Sequence, residues 1–153
     1  MNDFWEKANE LFGDLGTHET MVLSTSLNNK VSSRMMSIIL LDGACLFQTD
    51  RNSRKYSQMK DNPNVALCVN NIQIEGICKE IGKPAGNAEF CKLYEEFFSS
   101  AYELYTNLNS EVLFCVELVF VKKWIYENGK PYIETWDFGL KKYEKRSYKV
   151  NGE

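Results

Sequence analysis

Arg34 stands inside the run Val31 to Leu41, beside Met35 and Met36. If that run is a strand, its side chains alternate between faces, so a guanidinium sits on a sheet whose neighbouring positions are apolar. Such a charge needs an anionic partner or an outlet to water. Further on, Thr49 closes another apolar run, and Ser53, Arg54 and Lys55 follow the polar loop Asp50-Arg51-Asn52. Ser53 suits a helix N-cap. Hydroxyls, two cations and a helix N-terminus at one strand end are the components of a phosphate site. Free amides and the helix dipole favour the anion, and an arginine grips two oxygens together. Solvated charges on an exposed turn fit the same residues, and spacing alone leaves both readings open.

Composition removes several other chemistries. The chain has a single histidine, His18, so a multi-histidine metal site is impossible within one chain and a histidine-based triad would have to run through that residue. It lies in Leu15-Gly16-Thr17-His18-Glu19, which reads as a polar connection. Basic residues number 18 against 21 acidic ones, a formal charge of −3, which argues against a partner bound mainly through a nucleic-acid backbone. No window approaches the ~20 apolar residues of a membrane span, and the N-terminus carries Asp3 and Glu6 rather than a secretory signal. Cys45, Cys68, Cys78, Cys91 and Cys115 are odd in number and unclustered, the pattern of reduced cysteines in a cytoplasmic protein.

The elements that must position Arg34 and Ser53 to Lys55 are mostly strands. At 153 residues the chain is long enough for one domain with its own core, spanning 1–153, with a core over about 17–137 and a tail over 140–153. Asp3 with Glu6 resembles a capping pair, and Phe4, Ala8, Leu11, Phe12 and Leu15 recur at helical spacing, predicting a helix over 3–13 closed near Gly13. From Thr20 the period changes to that of strands, with turns at Asn28-Asn29, Asp42-Gly43 and Asn128-Gly129. Residues 54–60 predict a short helix stopped by Asp61-Asn62-Pro63. An aromatic stripe from Ala88 through Tyr94 and Phe98 to Tyr105 predicts one longer lateral helix over 87–105. The segment 141–149 is basic, lacks an apolar face and reads as solvated or loosely docked. Six to seven strands in meander order with lateral helices give a mainly β (α+β) antiparallel barrel.

The ordered set Arg34-Met35-Met36, Asp42-Gly43, Leu46-Phe47-Gln48-Thr49, Ser53-Arg54-Lys55, Asn62-Pro63-Asn64-Val65-Ala66-Leu67 and Ile74-Glu75-Gly76 resembles the flavin-binding split barrels related to pyridoxamine 5′-phosphate oxidase. The likeness is best over 17–82 and looser beyond. It implies a homodimer holding FMN at the subunit interface. By position, Arg34, Arg54 and Lys55 would bind the FMN phosphate, aided by Ser53 and Thr49. Met35, Met36, Ser37 and Gln48 would lie along the isoalloxazine ring and ribityl chain. Asn71 or Gln73 would reach the flavin from the other subunit, and Trp124 would pack near the ring from the partner chain, although plain barrel packing also accounts for that tryptophan.

The departures point away from oxidation of pyridoxamine phosphate. Where the oxidase carries a lysine after its arginine–methionine pair, this chain has Ile39. The residues that clamp a substrate phosphate have no match in 86–109, nor does the late arginine–histidine pair in 126–138. The resemblance therefore implies the short, general-stress-like branch: a cytoplasmic FMN-dependent oxidoreductase passing electrons from a reduced nicotinamide to a small acceptor. No Gly-rich dinucleotide fingerprint follows a strand, so the nicotinamide would visit only transiently. A non-catalytic flavin or haem carrier or sensor is the alternative, the haem version needing His18 as axial ligand. An oligonucleotide-binding barrel is a third reading, which the net acidity disfavours.

Overall fold

A computed structural model of the chain describes residues 3–149. Eight antiparallel strands and four helices follow in the order α1 (Asp3–Leu15), β1 (His18–Leu27), β2 (Lys30–Leu41), β3 (Ala44–Asp50), α2 (Arg54–Asp61), β4 (Asn64–Val69), β5 (Ile72–Glu80), α3 (Ala88–Phe97), α4 (Ser99–Tyr105), β6 (Glu111–Glu127), β7 (Lys130–Asp137) and β8 (Lys142–Ser147). The strand order is β3-β2-β1-β4-β5-β6-β7-β8, and β3 also pairs with β6. That pairing closes the first six strands into a barrel and leaves β7 and β8 as an outer extension. The expected mainly β split barrel with an N-terminal helix is the architecture formed.

Tight turns set the meander. Asn28-Asn29, Asp42-Gly43 and Asn128-Gly129 all have positive φ at both positions, the geometry whose twist matches antiparallel strands. Inward residues Met21, Leu23, Ile38, Phe47, Leu67, Ile74, Phe114 and Val116 form the core. Phe4, Ala8, Leu11 and Leu15 of α1 join the same cluster. The helix runs past the expected end at Gly13, because Gly16 is the residue that takes positive φ and returns its N–H to the Phe12 carbonyl. A smaller cluster, Ile39, Leu46, Phe90, Tyr94 and Leu113, binds α3 to the outside of the barrel.

Two expectations need correcting. The aromatic stripe does not form one helix: the chain breaks at Phe98, whose φ of −134° and ψ of 52° cap α3 and start α4. The hydrophobic stripe continues across the break, so helical spacing could not reveal it. The basic tail is not loosely docked over 142–147: it forms β8, paired with β7 from Asp137↔Lys142 to Tyr132↔Ser147, with Tyr143 packed on the core. An edge strand on a one-sided sheet extension can remain largely charged, which hides it from hydropathy patterning.

The short ladder between β2 and β3 leaves an opening beside it. It covers only Ile39↔Leu46 through Leu41↔Ala44, after which β3 keeps its pairing with β6. Residues 35–37 of β2 and 48–50 of β3 therefore flank a gap in the barrel wall.

Candidate functional site

That gap is a cavity of about 330 Å³. Among its lining residues are Met35, Met36, Ser37, Gln48, Thr49 and Lys55, all expected from the sequence. Asp50 and Glu111 from the paired strand ends, and Tyr94, Ala101 and Tyr105 from α3 and α4, complete it. Sequence reasoning missed these five as site residues. The tyrosines belonged to a stripe read only as helix packing, and Glu111 is placed here by its pairing opposite Asp50, a long-range event. Ile39 is fully buried in the cluster beneath α3 and does not line the cavity.

Every buried polar or charged residue among those described lies in this region: Thr25, Gln48, Thr49, Gln58, Thr106 and Glu111. Their bonds hold the cationic end together. Arg34 donates to Thr25 Oγ1 at 2.8 Å, to Gln58 Oε1 at 3.2 Å and to the Leu23 carbonyl at 3.4 Å. Thr25 in turn donates to Gln58 Oε1 at 2.7 Å, and Gln58 Nε2 donates to Ser32 Oγ. The network thus ties β1 and β2 to α2 and orients Arg34. Its three bonds leave donors of the five-donor guanidinium uncommitted.

Ser53 caps α2, accepting from the Tyr56 amide at 3.3 Å, and its hydroxyl lies 3.3 Å from Thr49 Oγ1. Ser53→Ala is expected to cost about 1 kcal/mol of stability. A urea melt of the variant checks this, and an unchanged midpoint would deny Ser53 the capping role.

Arg34, Arg54 and Lys55 are close enough to act on one another. Burial first, and then Arg54, lowers the Arg34 pKa; burial first, and then Arg34, lowers that of Lys55, while Glu111 and Asp50 oppose the shift. None of the three makes an ion pair among the described residues. Gln48 Oε1 accepts from the Thr106 hydroxyl at 2.8 Å, while Gln48 Nε2 is buried without a partner. The Glu111 carboxyl lies near enough to feel the Gln48 amide but outside hydrogen-bonding geometry. Burial pushes the Tyr94 phenol up to about 12, so it stays neutral.

The remaining sequence candidates are not brought here within one chain. Thr49 lies opposite Val112 on β6, whereas Trp124 is twelve residues further along that strand, roughly 40 Å of extended backbone. Asn71 Nδ2 donates to the Trp124 carbonyl at 2.5 Å, the Trp124 amide donates back to the Asn71 carbonyl, and Gln73 sits exposed on β5 nearby. Tyr148 packs against the Trp124 ring at 4.9 Å. His18 is stacked on Phe97 at 3.6 Å and does not line the cavity. A second groove, about 350 Å³, runs over the outer barrel face past Ser24, Val31, Ala66, Ile77 and Val119. No cation lines it.

The model of the family described as pyridoxamine 5′-phosphate oxidase matches residues 5–124, well over half of the chain. The chain belongs to this family. No curated protein matches it in sequence. Among solved structures of similar fold, general stress protein 26 from Bacillus anthracis is 25% identical, with a TM-score of 0.57 over 76% of this chain and 89% of that one. A pyridoxamine 5′-phosphate oxidase-related, FMN-binding protein from Nostoc punctiforme is 14% identical, with a TM-score of 0.58 over 96% and 93%. PhzG from Burkholderia lata, solved with tetrahydrophenazine-1-carboxylic acid, is 10% identical, with a TM-score of 0.65 over 95% and 90%. Among the described residues of this family member, no helix is long and apolar enough to cross a membrane.

Proposed function

We propose that this chain is an FMN-binding oxidoreductase of the cytoplasm that passes electrons from a reduced nicotinamide to a small acceptor. One observation carries the reading: three cations that form no ion pair among the described residues come together where β3 hands over to α2, at the edge of a cavity lined by two methionines and two tyrosines. A phosphate would be held by Arg54 and Lys55 at the helix N-terminus, with Arg34 braced behind them by Thr25 and Gln58. Met35, Met36 and Tyr105 offer apolar and aromatic surface to a flat ring. When bound, FMN supplies the hydride chemistry itself, so the chain has no need of a dedicated acid or base.

Asn71, Gln73 and Trp124 would serve the site only from a second copy. Exposed Val31, Met35, Ile77 and Val119 on the outer barrel face supply apolar surface for such a homodimer. Protein purified without added cofactor should be yellow, with flavin absorbance bands, and should sediment as a dimer. Anaerobic NADH or NADPH should bleach the bands. A colourless protein that takes up no added FMN would end this reading; flavin that neither nicotinamide bleaches would leave a carrier without turnover.

A further inference from the structure

We propose that Glu111 sets the affinity of the cavity for phosphomonoester ligands, competing as a resident carboxylate with the incoming dianion for Lys55. The inference rests on the FMN reading and concerns which residue tunes that site.

Glu111 is only 5% exposed, yet it is a carboxylate within an anion-binding cavity. It lies directly opposite Asp50 in the β3–β6 ladder, an arrangement of like charges that costs stability unless a nearby cation offsets it. Lys55 lines the same cavity and is near enough for both carboxylates to act on its charge, although it forms no ion pair with either among the described residues. The two acids differ in what else holds them. Asp50 accepts the Asn52 amide at 2.7 Å and shapes the loop before α2. The Glu111 carboxyl accepts no hydrogen bond among the described residues, although the partnerless Gln48 Nε2 lies beside it. Its ionic neighbour is therefore Lys55, the same ammonium a phosphate needs.

The titratable groups facing Glu111 are Asp50 from β3, Lys55 from α2, Tyr94 from α3 and Tyr105 from α4. Burial, and then Asp50, raises the Glu111 pKa, while Lys55 and the Gln48 amide hold it down. A dianion on Lys55 divides the stabilising charge and adds a repelling one. The phosphate therefore favours the protonated form of Glu111. Affinity consequently rises as pH falls and is lost as pH climbs through the carboxyl pKa of the complex.

Calorimetric titration of the deflavinated protein with FMN and with riboflavin tests this. It should be run between pH 7 and 8.5, above the second ionisation of phosphate at about 6, in phosphate-free buffers of differing ionisation enthalpy. Wild type should take up a fraction of a proton with FMN and none with riboflavin, its FMN affinity weakening by up to about tenfold per pH unit. Glu111→Gln should bind FMN about tenfold tighter at pH 8.5, without that slope, and riboflavin as before. The wild-type measurement stands whether or not the variant folds. Absent proton uptake overturns the proposal, as does a slope that persists in E111Q, which would belong to Lys55, or an equal change for riboflavin. Failure of wild type to bind FMN removes the functional reading and this inference together; wild-type binding with an indifferent E111Q removes the inference alone.

Discussion

Arg54→Ala combined with Lys55→Ala is expected to weaken FMN binding by two to three orders of magnitude while the protein stays folded. Hydrogen bonds to charged groups contribute about 1.5–3 kcal/mol each, and the upper part of the combined loss is reduced because Arg54 is exposed to solvent. Neither side chain makes an ion pair or hydrogen bond among the described residues, and both repel Arg34. Their removal relieves Arg34 but leaves Asp50 and Glu111 facing one another without the Lys55 charge, so the thermal midpoint should fall by only a few degrees. Flavin fluorescence titration reads the affinity, and circular dichroism reads the fold. Unchanged affinity would move the phosphate elsewhere, and unfolding would make these cations structural.

Gly76→Ala is expected to destabilise the barrel by roughly 3 kcal/mol, a fall in thermal midpoint of about 6–12 °C for a chain of this size. A Cβ built at Gly76 would lie 2.5 Å from Val116 Cγ1 and 2.6 Å from the Glu117 carbonyl oxygen, and backbone cannot move aside cheaply. Here β5 passes a bulge: Glu75 pairs with Phe120 and Gly76 with Leu118, so Val119 is left out of the register. The extra residue shifts the inward alternation of β6 from Val116 and Leu118 to Val121. That shift keeps the strand in the core while it leaves the barrel to pair with β7. Gly13→Ala is the control, since nothing beyond its chain neighbours and its own helix backbone lies within 4 Å of its Cβ position and it sits inside α1. It should gain about 0.5–1 kcal/mol. Equal midpoints for both variants, read by differential scanning calorimetry, would contradict the close-approach argument.

Much of the fold and part of the site could be read from the chain because their causes are local. Asn-Asn, Asp-Gly and Asn-Gly pairs define the turns by the φ values they tolerate, and period-2 runs between them define strands. Ser53-Arg54-Lys55 after a strand end is a helix start with two cations, whatever the rest of the chain does. The family resemblance rested on such short ordered segments, and the family match includes them.

Long-range pairing decided the rest. Which residues line the cavity depends on β3 leaving β2 after Leu46 and following β6, and no window around Leu46 records the distant partner. Glu111 enters the site through that ladder, and Thr106 reaches Gln48 because the chain breaks at Phe98 and α4 turns over the gap. Asn71 and Trp124 show the converse. They meet each other by pairing at one end of the barrel, so a single chain keeps them from the cations at the other end. Side-chain type is written in the sequence, but whether a charge meets water, a carboxylate or a cavity is set by elements that approach from elsewhere in the chain.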